Sequence, residues 1–333
     1  MKVNIIAEAG VNHNGSIVKA KKLASEAKKV GADYVKFQIF NPDEIALDNL
    51  KKTAYQKKNT KNESNNQYDM LKQLSLSHED FDKLIKYCRK IDIKFLASVF
   101  DISSLNYLKN KSKIIKIGSS EISNFFLLKE VAKLNKKLII STGMCDHTTI
   151  KEALNLLYKN GQDKKKTTLL HCNSAYPTPL SDVNILTMNR LKNTFKVSVG
   201  YSDHALGKEA VYAAVALGAE TIEKHFTLNK NLNGPDHKIS LNLLEFKEMV
   251  DGIRNITNTL NLKKSKLTRS EKENANLVKK FLVAKNYIKK GERFTLENLT
   301  AKRTGGGIES MKIGSVLNKK SKINFFKNEI IKI

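Results

Sequence analysis

Two histidines, His204 and His225, each follow a short β-branched run, in V-G-Y-S-D-H and T-I-E-K-H-F-T. An imidazole at a strand end can bind a metal or move a proton. Taken singly, each reads equally well as a hydrogen-bonded residue that merely closes a strand. Other polar groups stand at comparable places: Glu8 after residues 3–7, Lys36 within 33–38, Ser98 closing 93–98, and Lys116 within 114–118, with Ser119 and Glu121 just beyond. Ser141 lies in 138–142, Ser174 and Tyr176 in the loop 173–179, and Ser202 just before His204. Two imidazoles with carboxylates nearby could hold a divalent cation with open positions and so polarise a carbonyl. Lys36 and Lys116 with several hydroxyls form an anion site for phosphate or carboxylate. Glu8 is a candidate acid or base. A metal, a phosphate cradle and a carbonyl site together suggest condensation of an anionic phosphorylated compound with an aldehyde. A Schiff-base aldolase using Lys36, Lys116 or Lys224 is the competing chemistry, and it leaves the paired histidines without a role.

These groups need a scaffold that brings many strand ends to one rim. Short apolar runs alternate with helical periodicity through the first 258 residues or so. Eight strand–helix units result, ending in strands near 197–201 and 221–226 and a helix over 241–258. That alternation argues for a parallel sheet. Eight units of this length predict an α/β fold, a closed (β/α)8 TIM barrel, whose chemistry sits at the C-terminal strand ends. Ser77 is placed to cap a helix with Phe81, Leu84, Ile85 and Cys88 on one face, which makes Cys88 a core residue. The polar stretch 42–73 reads as a surface excursion with short helices, of the kind that lids or contacts a substrate. Residues 259–280 read as a charged, partly helical linker, and 281–333 as a small, basic, mainly β module with a cationic loop at Arg303–Gly307. The barrel domain is expected over 1–258.

The chain has 333 residues and a formal net charge of +26. Such a charge raises nucleic acid or anionic membrane as partners, and also fits an anionic small substrate. The lysines are dispersed at helix-surface spacing and no zinc-finger, RNP-like or basic-zipper pattern occurs, so neither partner is expected. Three cysteines without C-x-x-C spacing, a short N-terminal apolar run and no long apolar span predict free thiols and a soluble cytoplasmic protein.

The stretches A-E-A-G-V-N-H-N-G (7–15), V-K-F-Q (35–38), K-I-G-S-S-E (116–121), S-T-G-M (141–144), H-C-N-S-A-Y-P-T-P (171–179), G-Y-S-D-H (200–204), E-K-H-F-T (223–227) and G-P-D-H (234–237) resemble the sialic acid synthase family. That family includes the N-acetylneuraminate, legionaminic acid and pseudaminic acid synthases. The tail, with Lys302-Arg303 and residues 305–308, resembles its antifreeze-like (SAF) domain. The resemblance implies a metal-dependent condensation of phosphoenolpyruvate with the open-chain aldehyde of an N-acetylmannosamine-type sugar. N-acetylneuraminate is the expected product, and legionaminic acid, from 2,4-diacetamido-2,4,6-trideoxymannose, the alternative. It implies a divalent metal, manganese, on His204 and His225, with Glu8 beside a metal-site water. Lys36, Lys116, Ser119, Ser141, Ser174, Tyr176 and Ser202 then grip phosphoenolpyruvate. Glu121, Asp236 and Phe100 face the sugar. A domain-swapped homodimer is implied, in which Arg303 touches the sugar's N-acetyl end across the subunits.

Three positions depart from the family pattern. Strand three ends Ala97-Ser98-Val99-Phe100 where the family has S-T-P-F, which is expected to move Phe100. Thr304 replaces a proline after Arg303, which is expected to loosen that loop. Ser174 stands where some members have Asn. His237 reads as a supporting or surface residue.

Overall fold

The computed structural model describes residues 2–60, 66–260 and 267–333. The chain divides into two compact units, Met1–Asn261 and Leu262–Ile333. Part of the stretch expected as excursion (61–65) and part of the expected linker (261–266) lie outside the described residues.

In the first unit β1 (Asn4–Gly10) leads through α1 (Ile17–Lys29) to β2 (Tyr34–Ile39). The Ser16 hydroxyl accepts from Lys19 N to cap α1, and Gly31, at φ +86°, ends its last turn, as a left-handed residue can without a Cβ penalty. The excursion then forms α2 (Pro42–Ile45), α3 (Ala54–Asn59) and α4 (Gln67–Leu74) before α5 (His78–Lys90). Ser77 caps α5 and its inner face buries Phe81, Leu84, Ile85 and Cys88, as the sequence pattern predicts; such a cap is worth about 1 kcal/mol. The remainder runs β3 (Lys94–Val99), α6 (Ile102–Leu108), β4 (Ile114–Ile117), α7 (Phe125–Lys133), β5 (Lys137–Ser141), α8 (His147–Lys159), β6 (Thr167–Cys172), α9 (Thr187–Phe195), β7 (Ser198–Asp203), α10 (Glu209–Ala216), β8 (Thr221–His225) and α11 (Leu243–Thr259).

The eight parallel strands close into a barrel in sequence order, β8 pairing with β1. This is the TIM-like fold the alternation predicts. Ile5, Ala7, Ala9, Val35, Phe37, Ala97 and Ile222 belong to one continuous core cluster that also holds the buried residues of the helices. With a side-chain period of two, the alternate residues of each strand face the lumen. Strand β1 runs on to Gly10 rather than ending at Glu8, so Glu8 lies inside the barrel and not in a rim loop. The register puts Glu8 beside Lys36 on one side and His225 on the other.

The second unit contains α12 (Arg269–Val278) and an antiparallel pair, β9 (Lys280–Ala284) and β10 (Leu299–Arg303). Isolated bridges such as Val283↔Ile330 and Ile288↔Phe325 complete it around Leu282, Phe294, Val316 and Phe325. Its β structure is more broken than the sequence pattern suggests, because the K-K-G-E, T-G-G-G and N-K-K turns interrupt every run after a few residues. Arg303 ends β10 and is exposed. The Thr304 hydroxyl donates to Gly306 O at 2.5 Å, so this residue ties the loop locally where a proline would have stiffened it.

Candidate active site

The C-terminal ends of the strands open into a cavity of about 440 Å³, lined by Glu8, Lys36, Gln38, Ser98, Phe100, Lys116, Ser119, Glu121, Ser141, Ser174, Tyr176, Ser202, His204, Glu223 and His225 among others. Its floor carries two buried ammonium groups and two buried carboxylates. Lys36 Nζ lies 3.0 Å from Glu223 Oε1 and 3.4 Å from Glu8 Oε2. Burial alone would depress Lys36, but Glu223 and Glu8 outweigh it and hold its pKa above the ordinary value. Lys116 is pushed down to about 8 by burial, an effect that Glu223 at 3.8 Å only partly offsets and Lys36 reinforces. The carboxylates separate in the opposite sense. Burial raises Glu8 to about 7 in spite of Lys36. It would raise Glu223 too, but Lys116, Lys36 and the Ser202 hydroxyl bring that residue down to about 2. Two acids pushed apart by their surroundings take different roles: Glu223 is a permanent counter-ion, and Glu8 exchanges its proton near neutrality.

Hydroxyls surround the second lysine. Lys116 Nζ donates to Ser141 Oγ at 2.7 Å, and Ser119 Oγ accepts from Gly143 N at 3.0 Å. Ser174 Oγ is buried without a hydrogen-bond partner among the described residues. A Cβ at Gly143 would stand 2.3 Å from Ser174 Oγ and 2.9 Å from Ser119 Oγ. Only glycine lets these two hydroxyls and an amide converge beside a buried cation, an arrangement suited to phosphate or carboxylate oxygens.

His204, just past β7, and His225, the last residue of β8, have ring centroids 5.3 Å apart. Asn173 O accepts from His204 Nδ1 at 2.6 Å, which leaves Nε2 as the ring's lone-pair donor. Burial opposes charge on His204, but Cys172 Sγ at 3.5 Å and the Asn173 carbonyl raise its pKa to about 9, so a cation there must displace a proton. Burial, His204 and Lys36 hold His225 well below its ordinary value, in the neutral form that binds metals. Its Nδ1 is buried without a hydrogen-bond partner among the described residues and lies 3.8 Å from Asp236 Oδ2. Among the described residues no group of three or more His, Cys, Asp or Glu side chains forms a metal cage. The protein therefore offers two imidazoles, one with an orphaned nitrogen. That donor set fits a divalent cation whose remaining positions go to water and substrate.

Asp236 is raised to about 6 by burial, against His204 and Lys36. The loop that carries it is held from two sides. Asn59 Nδ2 donates to Pro235 O, and His237 meets Thr227 Oγ1 at 2.7 Å and Asn14 Oδ1 at 3.3 Å. His237 is fully buried, which fits the supporting half of its reading and excludes the surface one.

A family model described as the NeuB family matches residues 23–265, and a SAF domain model matches 279–333. The chain belongs to the NeuB family. It is 47% identical over 332 residues to the N,N'-diacetyllegionaminic acid synthase of Campylobacter jejuni subsp. jejuni, covering 99% of both chains. It is 39% identical to the enzyme of that name from Legionella pneumophila subsp. pneumophila, over 96% of this chain and 90% of that one. Its fold matches the crystal structure of N-acetylneuraminic acid synthetase from Leptospira borgpetersenii serovar Hardjo-bovis with a TM-score of 0.71 at 33% identity, covering 82% and 90% of the two chains.

Within this NeuB-family chain the cavity gathers every expected site residue except two. Asp236 stands behind His225, and Arg303 belongs to the second unit. Phe100 lines the cavity with Val99 before it, packed edge-on against Phe40 at 6.2 Å, so the missing proline does not remove it. Glu121 lies on the rim and accepts from Asn124 at 2.8 Å. Lys224 points away from the lumen and is locked to Asp203 at 2.5 Å. Sequence reasoning passed over Glu223, although it stands two residues before His225 on one strand, which puts both on the same face. It also missed Tyr55, whose ring stacks on Tyr176 at 5.0 Å; nothing in the local pattern of α3 announces that contact.

Proposed function

We propose that this enzyme condenses phosphoenolpyruvate with 2,4-diacetamido-2,4,6-trideoxymannose to give N,N'-diacetyllegionaminic acid and phosphate. The observation that carries the reaction type is the buried two-lysine, three-serine cradle opening beside two paired imidazoles. The similarity to two legionaminic acid synthases favours this acceptor over N-acetylmannosamine, which becomes the second reading.

Lys116, Ser119, Ser141 and Ser174 hold the phosphate and Lys36 and Ser202 the carboxylate of phosphoenolpyruvate, with Tyr176 closing over them. Glu223 keeps the two ammonium groups charged and in place. A divalent cation, manganese in this reading, held by His204 and His225 would polarise the acceptor's aldehyde. Asp236 and Glu121 orient the open-chain sugar. The C3 enol carbon of phosphoenolpyruvate bonds to the aldehyde carbon, whose oxygen takes up a proton from Glu8, leaving a cationic C2. Water adds at C2 and returns a proton to Glu8, and phosphate departs with the bridging oxygen by C–O cleavage, taking up the proton of the new C2 hydroxyl as the ketone forms. Arg303 of the partner subunit meets the N-acetyl end in a swapped homodimer. The enzyme would work in the cytoplasm.

A Schiff-base route needs a neutral amine. Lys36 is held protonated and Lys224 faces outward, which leaves Lys116. Incubation with manganese, phosphoenolpyruvate and each sugar, following phosphate and 2-keto acid, tests the reading. Phosphate and a nonulosonic acid from the 2,4-diacetamido sugar, with turnover abolished by EDTA, are expected. No product from either sugar, or borohydride trapping of enzyme that turns over in EDTA, would sink it.

A further inference from the structure

The cavity is not uniformly polar. Besides its ionic groups it is lined by Ile45 from α2, Leu71 from α4 and Phe100 just past β3, each half-buried. Behind them lie Val11, Phe40, Met70 and Leu74, a small apolar cluster separate from the barrel core. The two neighbouring glutamines are tied to each other through one amide pair. Gln67 Nε2 donates to Gln56 Oε1 at 3.1 Å, and that same oxygen accepts from Thr53 N at 2.9 Å. A hydroxyl pressed against these three side chains would shed water and gain no hydrogen bond from them, whereas a methyl group would lose nothing.

The wall also lies where an acceptor must extend. The segment that builds it crosses the mouth of the barrel. Tyr55 of α3 stacks on Tyr176, which in turn covers His204 at 4.2 Å, and Asn59 of α3 holds the loop of Asp236. A sugar with its aldehyde at the histidines and its chain along the cavity therefore runs beneath α2–α4.

We propose that Ile45, Leu71 and Phe100 determine acceptor specificity by receiving the terminal methyl of a 6-deoxy amino sugar and disfavouring a terminal hydroxymethyl. This rests on the condensation reaction inferred above and adds the group that selects its substrate. Helices α2 and α4 are then specificity elements, and the polar composition around them conceals two apolar contacts, Ile45 and Leu71, that only folding brings to Phe100.

The test compares two acceptors that differ only at C6, N-acetylmannosamine and its 6-deoxy counterpart, with the full-length enzyme, manganese and phosphoenolpyruvate. Wild type should favour the 6-deoxy sugar in kcat/KM by about 10-fold or more, within the range an apolar pocket achieves. Leu71→Gln and Ile45→Thr should each cut that ratio at least about threefold through the KM of the 6-deoxy sugar, leaving the KM of phosphoenolpyruvate unchanged. Leu47→Ser, on the same segment but 75% exposed and outside the cavity, should leave the ratio alone. Ile45 is half-exposed on a short helix, so Ile45→Thr keeps the test open if Leu71→Gln does not fold. A wild-type preference for the hydroxymethyl sugar, or a 6-deoxy preference that survives these substitutions, overturns the inference while the reaction itself stands. Failure to condense any amino sugar removes both.

Discussion

Glu223 Oε1 lies 3.0 Å from Lys36 Nζ on the floor of the barrel, and the same oxygen accepts from Ser202 Oγ at 3.0 Å. One carboxylate thus anchors a cation that burial would otherwise discharge, and stands 3.8 Å from a second, Lys116. Two ammonium groups in one closed lumen repel each other, and this anion is what makes their convergence tolerable.

Replacing that anion should be costly twice over. Glu223→Gln leaves two buried cations facing one another with only Glu8 in reach. A loss of about 3–5 kcal/mol in stability is expected, the usual consequence of removing one partner of a buried pair, together with at least about a hundredfold loss of kcat/KM. Urea unfolding and turnover measure the two. A variant with unchanged stability would show that the lysines are neutral at rest.

Glu8 behaves in the opposite way. Its pKa rises from 4.5 to about 7 on folding. The native state therefore keeps this proton where the unfolded chain has lost it, and stability falls as pH rises between about 4.5 and 7. Glu8→Gln should remove that slope, so that wild type loses up to about 3 kcal/mol relative to the variant across the window. Chemical denaturation of both proteins from pH 4.5 to 8 gives the difference directly. A wild-type curve that climbs relative to the variant would reverse the assignment.

Metal binding can be separated from catalysis. Titration calorimetry with manganese alone should find one site per chain. His225→Ala and His204→Ala should each weaken it at least about tenfold. Chelation should abolish turnover and added manganese restore it. Equal manganese affinity in wild type and both variants would place the cation elsewhere.

The phosphate cradle depends on an atom that is missing. Gly143→Ala would put a methyl 2.3 Å from Ser174 Oγ. The expected result is a rise of about tenfold or more in the KM for phosphoenolpyruvate with little change in the acceptor's KM. An unchanged KM for phosphoenolpyruvate would move the phosphate away from Ser119 and Ser174.

Much of this was legible in the chain itself. Alternation of β-branched runs with helical periods specified a closed parallel barrel, because only short strands buried on both faces read that way. Residue type at strand ends then marked His204, His225, Lys36, Lys116 and Glu8. The fold decided what these groups are to each other. Closure of β8 onto β1 sets Glu8 beside His225 across most of the barrel unit, a contact no local pattern encodes. The same closure sorts Glu223 into the lumen and Lys224 out of it, so one of two adjacent charges becomes the site's counter-ion and the other a buried strut to Asp203. The apolar part of the cavity wall was hidden for a similar reason. Ile45, Leu71 and Phe100 are scattered among polar residues, and only the packing of α2 and α4 over β3 gives them a common surface. Sequence periodicity determines which face a side chain takes; which other faces it meets is settled by chain closure, and that is where the electrostatics and the selectivity of this protein lie.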